Sequence, residues 1–320
     1  MSSCICMFSA SILSGAEGSR PACAVQGLTV RRCASNPLIT GAASATLGEN
    51  INGPSVIRAP SWLDDPLGRY YMYFAHHGGK HIRLAYADDL SGPWTVYEPG
   101  ALRLEQASAL IHAHVASPDV HVDNDGRLIW MYFHGPARHE GGQITGVSTS
   151  TDGIHFAARD TRIAAFYFRR FRWRGMWYGI AKSGNQGGQL VRSDEAAEEF
   201  EVRGKPFLPG MRHASVLLRG DTLLVFYSRG GDCPERILLS TVALTGDWDA
   251  WVPSEPIDVL TPEENYEGIE YALRPSTWGS GIRVRELRDP CIYTEADAVY
   301  LFYSIAGEMG IAMAELDMEL

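Results

Sequence analysis

The chain has 320 residues, a formal net charge of −10, 45% hydrophobic residues and 33 glycines. That length can bury a large core, as one big all-β domain or two ordinary ones. The acidic balance argues against a nucleic-acid partner, which needs a basic face, and no run approaches the roughly 20 apolar residues of a membrane-spanning helix.

The first 35 residues carry no strand pattern. Ile5 to Leu13 is apolar but short, broken by serines and preceded by no basic residue, so residues 1–35 read as a leader, disordered or targeting. Four of the six cysteines (Cys4, Cys6, Cys23 and Cys33) fall there, leaving Cys233 and Cys291 in the patterned region. No C-x-x-C pair or zinc-ligand spacing occurs, so neither a disulfide framework nor a zinc site is indicated, and the pattern leans toward a cytoplasmic rather than a secreted chain.

From residue 36 onward one unit repeats. Its most visible part is an aromatic strand: Tyr70–Ala75, then Leu128–His134, Met176–Ala181, Leu223–Arg229 and Val299–Ser304. These runs are too short for helices that are apolar all round and too apolar for edge strands, so they suit the buried middle strand of a small sheet. A strand and a turn precede four of them, beginning near Gly53, Ser117, Met211 and Arg288, and a third strand and an aromatic-tipped hairpin follow. The basic run Arg169–Arg174 alternates arginine with aromatics, as a two-faced strand does. The unit is a four-stranded antiparallel blade, and five such blades predict one all-β, five-bladed β-propeller around a central funnel over residues 36–320. The last blade lacks sequence for its outer strand, so Pro37–Thr40 is expected to complete it and close the ring. The spacing before the fifth aromatic strand is stretched by a segment from Trp251 to Arg288, and long insertions are often functional.

Inner strands of a propeller line its channel, so their first residues converge at one mouth. The strand starts read Asn52, Asp119, Phe168-Arg169, His213 and Asp289. Asp119 and Asp289 then stand at equivalent repeat positions, and paired carboxylates are what glycosidic cleavage requires. Either aspartate is also a common turn former beside proline. His76, His77, His114, His134 and Arg229 end or follow strands near the same mouth and are candidate substrate contacts. The inserted segment adds Glu267, Glu270 and Arg274 beside Tyr266, Tyr271 and Trp278, whose rings suit the apolar faces of sugars. Arg169, Arg229, Arg274 and Arg288 together hint at an anionic substrate.

At these residues the chain resembles the five-bladed glycoside hydrolases of family 43 and their relatives, which include arabinanases, xylosidases, invertases and levansucrases. Ser117-Pro118-Asp119-Val120 looks like the family's second aspartate motif, which implies that Asp119 tunes the acid and orients the sugar. Arg288-Asp289-Pro290 resembles the motif that fixes sugar hydroxyls in the invertase-like branch, and Tyr266-Glu267-Gly268 matches the general acid. The resemblance covers about residues 36–320 on short motifs. It departs in the first blade, where Asn52-Gly53-Pro54-Ser55 stands in place of the catalytic base aspartate.

Three readings follow: Asp289 supplies the base, His213 shares the acid–base work, or hydrolysis is lost and the funnel only binds sugar. The expected activity is inverting, exo-acting hydrolysis of a small or terminal, anionic sugar unit, with Asp289 as base, Glu267 as acid and Asp119 as modulator. The alternatives are a non-catalytic carbohydrate-binding propeller and a metal-dependent enzyme using the funnel histidines. No required cofactor or catalytic metal is expected; the resemblance suggests a structural calcium in the channel. The partner is a carbohydrate, and the sequence leaves the oligomeric state open.

Overall fold

Aromatic strands buried on both faces need a sheet packed on each side, and the five aromatic runs find one. The computed structural model describes residues 26–184, 186–279 and 282–319. Its strands form five antiparallel sheets arranged as a five-bladed propeller. The inner strands are Asn52–Arg58, Ala116–Asp123, Arg169–Trp173, Met211–Arg219 and Arg288–Glu295, for blades 1 to 5. Each pairs with its aromatic strand: Tyr70–Ala75, Leu128–Pro136, Met176–Lys182, Thr222–Arg229 and Ala298–Ser304.

Successive strand side chains point to opposite faces, so each aromatic strand feeds two interfaces. Tyr71 and Tyr73 pack toward blade 2 with Met131 and Phe133, whereas Tyr70, Met72 and Phe74 pack toward blade 5 with Phe302 and Met313. Tyr132 and Phe168 join blades 2 and 3, Tyr178 and Trp251 lie in the core of blades 3 and 4, and Phe226 meets Tyr303 between blades 4 and 5.

The ring closes as the sequence predicts, with an addition. Leu38 donates its amide to Ile311 O (2.9 Å), and Ile39 stands opposite Ile311. The outer strand proper is Gln26–Arg32, antiparallel to the last strand, Gly310–Glu319. It lies inside the segment set aside as a leader; the rest of that segment, residues 1–25 with Cys4, Cys6 and Cys23, lies outside the described residues. The outer strand of blade 4, Ile257–Leu260, likewise lies within the stretch read as an insertion.

Inner strands share one irregularity at their start. Between Asn52 and Ser55, Ala116 and Asp119, Met211 and Ala214, and Arg288 and Cys291, one extra residue bulges out of register. Blade 3 does the same: Lys182 donates its amide to Phe166 O, and Arg169 pairs with Ile180. The first bulged residues are therefore Gly53, Ser117, Tyr167, Arg212 and Asp289. Four of them have positive φ: Gly53 at 61°, Ser117 at 48°, Tyr167 at 55° and Asp289 at 49°. That region is cheap for glycine and costly for the other three. The bulge turns these side chains into the mouth.

Candidate functional site

The bulge register corrects the equivalence read for the two aspartates. Asp289 aligns with Gly53 and Ser117, at the mouth; Asp119 aligns with Ser55 and Cys291, two residues further along the channel, roughly 7 Å at a strand's rise. The two carboxylates therefore sit at different depths along the channel. Asp119 is one of a ring of blade-joining groups: its Oδ2 accepts the Arg170 amide (3.0 Å), as Ser55 Oγ accepts that of Val120 (2.9 Å) and Ser215 Oγ that of Ile292 (2.9 Å). Arg169 joins the next interface, with Nε donating to Ala214 O (2.9 Å). Burial alone would raise the Asp119 carboxyl, but His121 at 2.8 Å, Arg169 and the Arg170 amide hold it down at about 2. Asp119 and Arg169 line a cleft of 1490 Å³ at the far end of the channel.

At the mouth the strand starts bring together a different set. His213 Nδ1 abuts Asp289 Oδ1, and Asp289 Oδ2 accepts from Ser304 Oγ (2.8 Å). Burial would raise the Asp289 carboxyl; His213, Ser304 and Arg288 outweigh it and hold the group below the usual carboxylate range. Burial pushes His213 down to about 4, with Lys182 and Arg212 adding to the shift and Asp289 opposing it. The imidazole is neutral with Nδ1 against the carboxylate, which favours the proton there, and neither ring nitrogen makes a well-formed hydrogen bond among the described residues.

Around this pair lie Asn52, His77, His114, His134, Tyr167 and Glu308, which with His213 line a small cavity. Asn52 Nδ2 donates to Glu308 Oε2 (2.9 Å), which also accepts from Asn50 (3.0 Å), while Glu308 Oε1 accepts from Arg288 (3.1 Å). His77 Nδ1 is 3.7 Å from Glu308, and His114 Nε2 meets Gln143 Oε1 at 3.2 Å. The Tyr167 ring packs edge-on against His213 and His134, at centroid distances of 4.0 and 4.4 Å. Burial, with Glu308 and Asp289 nearby, pushes the Tyr167 phenol up, so it stays protonated. Lys182 sits under Trp278, 4.2 Å from the ring centroid, with its ammonium pushed down to about 8 by burial and Arg212.

Several expected contacts are elsewhere or already engaged. Glu267, expected as the acid, is fully buried away from the mouth. It holds Arg32 of the closing strand at 2.9 and 3.0 Å, accepts from the Tyr303 hydroxyl (2.9 Å) and takes the amides of Glu263 and Glu264. Every oxygen is in use by the closure of the ring. Glu270 and Arg274 are exposed on the inserted segment, and His76 is not among the cavity residues. Arg229 pairs with Asp232 (3.3 Å), and Arg288 is held by Glu286, Glu308 and the Gly279 carbonyl. These arginines are occupied by carboxylates or carbonyls. The inserted segment roofs this mouth: Arg212 donates to Thr277 O (2.5 Å), and the Gly231 amide to Ser276 Oγ (2.9 Å).

Among the described residues no group of three or more His, Cys, Asp or Glu is arranged to hold a metal ion. Calcium takes six to eight oxygens. The mouth offers mostly imidazole nitrogens and carboxylates already bound by guanidinium, amide or hydroxyl donors, so these residues do not fit a calcium centre.

Tyr167 and Glu308 are the groups the sequence reading missed. Glu308 follows the fifth aromatic strand in a turn, as His76 and His77 follow the first, and that shared position was its signal. Tyr167 lies one residue before the estimated start of blade 3 at Phe168-Arg169, a shift the bulge explains.

No family model matches the sequence. In structure the chain is similar to a β-1,2-mannobiose phosphorylase from Listeria innocua, with a TM-score of 0.62 at 13% identity over 89% of this chain and 96% of that one. It is also similar to a family-43 β-xylosidase/α-arabinofuranosidase from a compost microbial metagenome, with a TM-score of 0.57 at 14% identity over 91% and 95%. An exo-1,5-α-L-arabinanase from a bovine ruminal metagenomic library gives 0.54 at 14% identity over 84% and 92%. At these identities the likeness establishes the propeller fold that the motifs implied. In sequence, a 35% identity over 297 residues, 83% of each chain, places this protein in one family with an uncharacterized protein of Acanthamoeba polyphaga mimivirus.

Proposed function

We propose that this propeller is a carbohydrate-active enzyme of the glycosidase class, working at the mouth where the inner strands begin. The observation that carries the reading is the Asp289–His213 pair, an ionised carboxylate holding a neutral imidazole whose Nε2 is unpartnered beside a cavity. A carboxylate that fixes the tautomer and stabilises the imidazolium is a recurrent way to make histidine a general base. His213 replaces the base that Asn52 cannot supply. The fold it shares with phosphorylases and glycosidases, and the resemblance of Arg288-Asp289-Pro290 to the sugar-fixing motif of the invertase-like branch, support the same class.

In this reading a terminal sugar lies over the mouth, under the segment pinned at Ser276 and Thr277. His213 Nε2 takes a proton from the attacking group, and Asp289 stabilises the imidazolium. Tyr167 is the neutral O–H donor beside them and passes a proton to the leaving oxygen. Glu308, hydrogen-bonded by Arg288 and by the side-chain amides of Asn50 and Asn52, faces the positive charge that develops on the sugar ring. A single displacement of this kind inverts the anomeric centre. An anionic substituent on the sugar would meet Lys182.

The test is a screen of 4-nitrophenyl glycosides and free oligosaccharides with the wild-type protein and His213→Ala. Turnover by the wild type, with kcat lowered at least about 100-fold in the variant, is the expected result. Saturable binding without turnover of any glycan would instead favour a sugar-binding propeller.

A further inference from the structure

The cavity beside His213 has a volume of 30 Å³ and is walled by Asn52, Ser117, His134, Tyr167, His213 and Glu308, among others. Two of its walls carry a nitrogen without a partner. His134 Nδ1 and His213 Nε2 belong to side chains only 2% and 4% exposed, and neither makes a hydrogen bond among the described residues. Buried polar atoms are nearly always satisfied, by protein or by ordered water. A polar cavity of about this size holds a single water, which needs two to four partners.

We infer that this cavity binds one water between His134 and His213, that this water is the nucleophile, and that His134 is its positioning residue. The inference rests on the glycosidase reading above and adds which nucleophile the site accepts. Inorganic phosphate is the alternative, since the same fold hosts phosphorylases. The cavity argues against phosphate in two ways. A tetrahedral anion with four oxygens needs several times the room of one water. The wall also has the wrong charge: Glu308 lines it, Asp289 stands directly behind His213, and no lysine or arginine is among the lining residues. His134 is neutral as well, because burial, reinforced by His114 and His213, pushes its pKa far down. Neutral imidazoles and an amide bind water without demanding charge; an oxyanion placed there would face carboxylate.

The step balances with these groups alone. The water oxygen forms its bond to the anomeric carbon while one of its protons moves to His213 Nε2. The bond from that carbon to the leaving oxygen breaks, its electron pair stays on the oxygen, and the oxygen takes the Tyr167 proton. His134 accepts a hydrogen bond from the water's other proton, which aims an oxygen lone pair at the sugar. A nucleophile misplaced by about 1 Å costs on the order of 100-fold in rate, so His134 acts on kcat and not on affinity.

The test has a structural arm and a kinetic arm. A high-resolution crystal structure of the wild-type protein, with and without a soak in inorganic phosphate, should show one water within hydrogen-bonding distance of both nitrogens, unchanged by the soak. An empty cavity, or tetrahedral density in it, overturns the inference. On any glycoside turned over in ¹⁸O-labelled water, the label should enter the free sugar, and phosphate should not raise the rate. His134→Ala and the cavity-filling Ala116→Val should each lower kcat about 100-fold, with KM within twofold. Sugar 1-phosphate as product, or both variants keeping wild-type kcat, overturns the inference while leaving a glycosidase mouth intact. A water seen in the crystal with no turnover of any glycan overturns the glycosidase reading itself, and the nucleophile role with it.

Discussion

At the level of single residues, which neighbour each aspartate faces decides the chemistry of the mouth. Asp119 and Asp289 look alike in sequence, each beside a proline at the start of an inner strand, yet one follows its proline and the other precedes it. Across a bulge that difference decides whether the side chain joins two blades or enters the mouth. Motif spelling made both visible and hid their separation, because a bulge leaves no signature in residue type. Protonation is also a residue-scale matter. His213 acts only as the neutral base, and its pKa is pushed down to about 4, so kcat should be level above about pH 5 and fall as pH drops through 4. A pH–rate profile checks this; an acid limb centred near 6.5 would mean that another group carries the proton. Glu267 is a residue of a different kind. Its carboxylate is spent on Arg32, Tyr303 and two amides, so Glu267→Gln should cost about 3 kcal/mol in urea unfolding, as breaking a buried ion pair does, and leave kcat/KM unchanged. A variant as stable as the wild type but catalytically dead would restore Glu267 as the acid.

Elements were legible to the degree that they are buried. The five aromatic strands could be read directly because each is covered on both faces, which leaves an unbroken apolar run. The outer strands are half-exposed and carry little signal. Gln26–Arg32 does alternate, with Leu28 and Val30 turned to the core between blades 4 and 5, but its partner is at the opposite end of the chain and it follows an unpatterned stretch. Closure of the ring by Pro37–Thr40 was readable from counting, since the last blade lacked a strand. A chain starting at residue 36 would lose the Gln26–Arg32 strand and the Arg32–Glu267 pair together. Its melting temperature should fall on the order of 10 °C below that of a chain starting at residue 26. Equal melting of the two truncations would mean that this strand does not close the propeller.

For the whole molecule, the channel has two ends with different work. The far end, with Asp119 and Arg169, opens as a wide cleft and holds neighbouring blades together through inner-strand hydrogen bonds. The near end gathers bulged residues from five strand starts, under a segment pinned by Arg212 and Arg288, and there the buried charge and the unpartnered imidazoles collect. Fold and mouth were both foreseen in outline, with Asn52, His77, His114, His134, His213 and Asp289 read there from the sequence, but Tyr167, Glu308 and the displacement of Asp119 were not, since they depend on register across the sheets. The most direct measurement of the central claim is kcat/KM of Asp289→Asn and Asp119→Asn on one glycoside that the wild type turns over. Asp289→Asn should lose at least about 1000-fold, as expected when a carboxylate no longer fixes the histidine tautomer, and folded Asp119→Asn should stay within about threefold of wild type. The reverse order, or wild-type activity in Asp289→Asn, would contradict that claim.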